Sequence, residues 1–66
     1  MPSWYVVVNQ ENTVLAVYGS AMLSEVQDVA RKIEHQTGLP VYVNRIDGNR
    51  PSVGQKLTFR KDRANG

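Results

Sequence analysis

Trp4-Tyr5-Val6-Val7-Val8-Asn9-Gln10-Glu11-Asn12-Thr13-Val14-Leu15-Ala16-Val17-Tyr18 reads as two strands and the turn that joins them. The outer segments are almost wholly β-branched or aromatic, the composition that packs well on a pleated surface, and four polar residues interrupt them. A β-hairpin with a loop of about four residues follows. Both strands carry apolar side chains on both faces, so a single covering layer leaves one face that must meet something other than water. Two covers are open for that face: the chain's own C-terminal segment, or a partner.

Downstream of Gly19 the period changes. Met22, Val26, Val29, Ala30 and Ile33 recur at helical spacing, and Leu23 widens the stripe. Ser20 suits the N-cap, with Ser24 and Gln27 as a second capping box one turn later. Thr37-Gly38 offers a left-handed stop, Leu39 can fold back on Ile33, and Pro40 cannot continue the helix. The spacing therefore predicts a helix over 21–36. Val41 to Ile46 is a third strand, and Asp47-Gly48-Asn49 is turn chemistry. Residues 51–55 look irregular. Lys56-Leu57-Thr58-Phe59-Arg60 alternates polar and apolar, which suits a short optional fourth strand with Leu57 and Phe59 inward.

Because the helix returns the chain, the third strand runs parallel to the second; placing it beside the first gives an all-antiparallel sheet of order 2-1-3. The expected fold is an α+β two-layer sandwich, ββαβ(β), with one helix packed on a small sheet. Met22, Val26, Val29, Ala30 and Ile33 are the expected helix contribution to the core. Which alternate set of strand residues faces them is not decided by pattern. The expected domain is 1–60, with 61–66 a frayed basic tail.

Composition narrows the class. With 66 residues the chain is one domain that buries roughly 60% of its unfolded surface, a marginal amount. It has no cysteine, so neither a disulfide nor a thiolate metal site is available and self-association is an open route to stability. Met1-Pro2-Ser3-Trp4 does not read as a signal peptide, and the longest apolar runs, Trp4 to Val8 and Val14 to Tyr18, fall far short of a bilayer span of roughly 20 residues. A cytoplasmic location is expected.

Charge is divided along the sequence. Arg45, Arg50, Lys56, Arg60, Lys61 and Arg63 all follow position 44, while Glu11, Glu25, Asp28 and Glu34 precede it. Such asymmetry suits an anionic partner. Arg45, Arg50, Lys56, Arg60 and Lys61 are the candidate phosphate contacts, several of them expected at a common end of the sheet, with Tyr42 a stacking surface nearby. Solubility alone also explains a net charge of +2.

No residue pattern carries catalysis. His35 is the only histidine, so one chain holds no histidine metal pair, and its place in the last helical turn suits the macrodipole better than a catalytic role. The glycines are isolated and form no phosphate loop. Neither metal, cofactor nor small-molecule substrate is expected, and an enzyme is the least favoured class. The apolar excess of the hairpin instead points to association. Trp4, Tyr5 and Tyr18 are the candidate anchors, Arg45 and Arg50 its charged rim, and the second strand an unprotected edge with neither charge nor proline. The expectation is a small non-enzymatic protein that binds a larger protein stoichiometrically as a regulator or inhibitor, its size and simplicity suiting a phage or mobile-element gene. The alternative is a nucleic-acid-binding accessory protein using the basic C-terminal segment.

Overall fold

A computed structural model describes residues 2–58. Strand β1 (Ser3–Val8) and strand β2 (Val14–Gly19) form the hairpin, helix α1 (Leu23–Thr37) follows, and strand β3 (Tyr42–Asp47) completes an antiparallel sheet of order β2-β1-β3. This is the α+β arrangement expected of the hairpin and the returning helix.

The hairpin turn is built by Asn9. Its Oδ1 accepts the amides of Glu11 and Thr13, its carbonyl accepts the amide of Asn12, and Asn12 turns left-handed at φ 64°. That is a type I turn closed by a left-handed residue, a common hairpin connection. The β1–β2 register then shifts between Val7 and Val8: Ala16 lies opposite Val7, Val14 opposite Val8, and Leu15 is the extra residue of a bulge.

The helix stops at Gly38 as expected, but its start and the course of Leu39 differ from expectation. Ser20 and Ala21 lie in a turn closed by the Met22 amide on the Gly19 carbonyl, so Met22 takes the N-cap position and no side chain caps it. Met22 thereby leaves the core and is exposed. At the other end Gly38 adopts φ 72° and donates its amide to the Glu34 carbonyl, the left-handed stop that favours glycine. Leu39 does not fold back on Ile33: its amide is taken by Thr37 Oγ1 and its side chain stands exposed. Glu34 Oε2 accepts the Val41 amide at 3.1 Å and ties the helix end to the start of β3.

The core has two halves separated by the sheet. On the helix side Val7, Val26 and Ala30 are buried, with Tyr5, Leu15, Ala16, Tyr18, Ile33, Val41 and Val43 packed around them. On the opposite side Val6, Val8 and Val14 are buried, with Val17, Ile46 and Leu57 around them. Val6 and Val7 are both fully buried, although consecutive strand residues point to opposite faces.

The second face is closed by the chain itself. β3 lies at one margin of the sheet, yet Gln55 accepts the Val14 amide, Gly54 donates to the Val14 carbonyl, and Leu57 donates to the Asn12 carbonyl at the other margin. Residues 48–53 must cross between these points, a distance of about 10 Å for two strand spacings. Buried Pro51 and half-buried Leu57 lie along this strap. A turn at its far end has Gly54 at φ 90°, with the Gln55 amide on the Ser52 carbonyl. Of the optional fourth strand, the described residues form only a bridge of Lys56 with Thr13; Phe59 and Arg60 lie outside the described residues, as does the expected tail 61–66.

Candidate functional site

The candidate anchors do not share a face. Tyr5 and Tyr18 lie directly opposite each other on the helix side, half-buried, while Trp4 points to the strap side with Ile46 as its neighbour. Trp4 is committed there: Nε1 donates to the Gly48 carbonyl at 3.0 Å, and the Arg50 guanidinium stands 5.8 Å from the ring centroid. Those contacts fasten the first residues of the strap. The alternation of sheet faces separates Trp4 from Tyr5, a consequence of strand geometry for adjacent residues.

The basic residues are likewise dispersed. Arg45 lies on the helix side of β3, where Nη2 donates to Ser3 Oγ and Nε stands 3.4 Å from Asp47 Oδ1; the Ser3 hydroxyl also donates to that oxygen at 2.8 Å. Arg50 sits over Trp4 on the other face of the same end of the sheet. Lys56 pairs with Thr13 at the opposite end, roughly a strand length of 17 to 20 Å away. Tyr42, exposed at the start of β3, is also at that opposite end. Arg60 and Lys61 lie outside the described residues. The expected cluster is therefore split by the antiparallel course of the strands.

The chemistry of the remaining surface is modest. A hollow of about 140 Å³ between the hairpin turn and the helix exit is lined by Asn9, Gln10, Glu11, Leu39 and Pro40, with one ionisable side chain. Among the described residues no group of three or more His, Asp or Glu side chains converges as metal ligands, and no helix is long and apolar enough to cross a membrane.

What stands out is the outer margin of β2. The strap occupies its beginning, taking both the amide and the carbonyl of Val14. By Leu57 it lies beside Asn12, so the described chain leaves this margin at the end away from Gly19. Between Leu15 and Tyr18 no described residue hydrogen-bonds the outward backbone. The stretch has neither charge nor proline, and exposed Val53 lies in the turn that docks on Val14. The β3 margin is also free among the described residues, but it carries Arg45 and Asp47, charged residues of the kind that discourage strand pairing. The absence of charge on β2 was legible beforehand; its division into a closed half and an open half was not, since no pattern in 51–57 says where that segment docks. Comparison with protein-family models, curated proteins and solved structures finds no match to the chain.

Proposed function

We propose that this chain is a small, non-enzymatic protein-binding module that acts stoichiometrically on a larger protein, taking up an extended segment of its partner along the open half of β2. The observation that carries the reading is the uncharged margin from Leu15 to Tyr18, which no described residue pairs. Backbone groups in this state accept another strand with no remodelling of the sheet, main-chain bonds supplying affinity and neighbouring side chains specificity. Tyr18 borders the margin and is the anchor best placed to serve it; Trp4 holds the strap, and Tyr5 belongs to the central strand. Arg45 lies on the opposite margin, β3, and Arg50 over Trp4 of the central strand, so neither borders this edge.

Affinity capture with the wild type and Val17→Lys tests the reading. Val17 sits half-buried at the rim of the strap-side core, so lysine there lays its stem on that rim and carries its charge past the sheet edge to water, where it opposes pairing. The expected result is loss of a captured protein with the variant, its fold verified by circular dichroism, and little change between low and high salt. Capture unaffected by Val17→Lys refutes edge pairing. A nucleic-acid complex that dissolves as salt rises and survives the substitution transfers the function to the basic residues.

A further inference from the structure

We infer that the resting occupant of the open β2 margin is a second copy of this chain, paired antiparallel about a two-fold axis at Val17, so that self-association masks the docking edge. The inference rests on the preceding reading that this margin is the docking element, and it adds the identity of the first occupant.

The geometry restricts how two copies can pair. Side chains of directly opposed residues in an antiparallel pair share a face. Ala16 and Tyr18 are on the helix side and Val17 is on the strap side, so a two-fold pairing must centre on a residue and match like faces. Centring on Ala16 would set Val14 opposite Tyr18 of the second copy, but the outward groups of Val14 are already bonded to Gln55 and Gly54. Centring on Tyr18 aligns only Val17 to Gly19 and stacks the two tyrosines on each other. Centring on Val17 uses the regular part of the open stretch: Ala16 meets Tyr18 and Val17 meets itself, both on matching faces, while the bulge residue Leu15 falls beside Gly19, which has no side chain to place on the wrong face. This register sets each large Tyr18 against a small Ala16, and it brings no charge opposite another.

The result is a continuous six-stranded sheet, β3-β1-β2 joined to its twin, with both helices on one face and both straps on the other. Its margins are the two β3 strands, which carry Arg45 and Asp47. Pairing thus places the unprotected edges at the centre and leaves the charged ones outside. A heterologous strand then gains access only as the two copies separate, which couples binding to the concentration of the protein.

The native chain has no cysteine, so single-cysteine variants report proximity cleanly. Directly opposed antiparallel residues have Cα atoms about 4.5 to 5.5 Å apart, within disulfide range. Val17→Cys, close to valine in size, is oxidised mildly beside Asn44→Cys, which lies in the same cross-sheet row but on the β3 margin. The expected results are a wild-type mass twice the 7.4 kDa of the chain, falling on dilution but little changed by salt, near-complete crosslinking of Val17→Cys, and at most traces for Asn44→Cys. A wild type that stays monomeric at every concentration overturns the inference, as does a dimer that crosslinks through Asn44 and not Val17. If a monomeric wild type still loses its captured protein on Val17→Lys, self-pairing falls and the docking edge stands. If Val17→Cys crosslinks while capture ignores Val17→Lys, the dimer stands and the docking reading falls.

Discussion

The two faces of the sheet are sealed to the same depth by different means. On one, α1 lays an amphipathic stripe over Val7; on the other, an irregular strap brings Leu57 against Val6, Val8 and Val14 and buries its own Pro51. Fully buried valines lie beneath both. Regular secondary structure is thus not a requirement for covering a sheet in a chain this small. The strap is held at its ends, by the indole of Trp4 on the central strand donating to Gly48 and by the Val14 backbone at the β2 margin.

That equivalence can be broken most severely at β1. Val6→Ala and Val7→Ala are each expected to cost about 2 to 3 kcal/mol, from lost burial and a residual cavity. Urea unfolding of the two variants checks it; a clearly smaller cost for Val6→Ala would mean that the strap collapses onto the cavity where the helix cannot. The next comparison sets Gly54→Ala, in the strap turn, against Gly38→Ala, at the helix stop. Both glycines have positive φ and open space around the absent Cβ, so each substitution should cost about 1 kcal/mol by backbone strain alone. Thermal unfolding resolves this, and an unchanged midpoint for Gly54→Ala would show a turn free to relax.

Trp4→Phe sharpens the account of the strap's anchorage. It keeps an aromatic ring over Ile46 but removes the donor to the Gly48 carbonyl, with an expected loss of about 1 kcal/mol in urea unfolding. Faster amide exchange in residues 48–53 than in α1 would accompany it. The smallest effect belongs to the exposed network at the sheet end. Arg45→Gln should alter stability by less than about 0.5 kcal/mol, since Arg45 and Asp47 are both well exposed and salt screens them. A larger loss would show that the network orders the end of β3.

Elements with a strong period were legible in advance. The hairpin, the helix stop at Gly38, the third strand and the 2-1-3 order all followed from composition, periodicity and short connections. The helix start was misplaced because Ser20 has the right chemistry for a cap, but the turn closed on Gly19 holds it upstream of Met22, where the helical conformation begins. Of the candidate site, the charge-free character of β2 could be read directly. The separation of Trp4 from Tyr5, and of Lys56 from Arg45 and Arg50, depended on strand faces and direction, so grouping those residues by type or by sequence proximity placed together what the sheet holds apart.

The sequence by itself determined that two apolar strands and one amphipathic helix must form a layered α+β unit, and that the hairpin carries more apolar surface than one helix can cover. Periodicity of 2 and of 3.6 is written locally, and it survives without knowledge of any distant contact. Only the tertiary structure decided what covers the second face and which stretch of β2 no described residue pairs. Those outcomes depend on where an aperiodic segment lands, and that is fixed by contacts between residues some 40 positions apart: Trp4 with Gly48, and Val14 with Gly54 and Gln55.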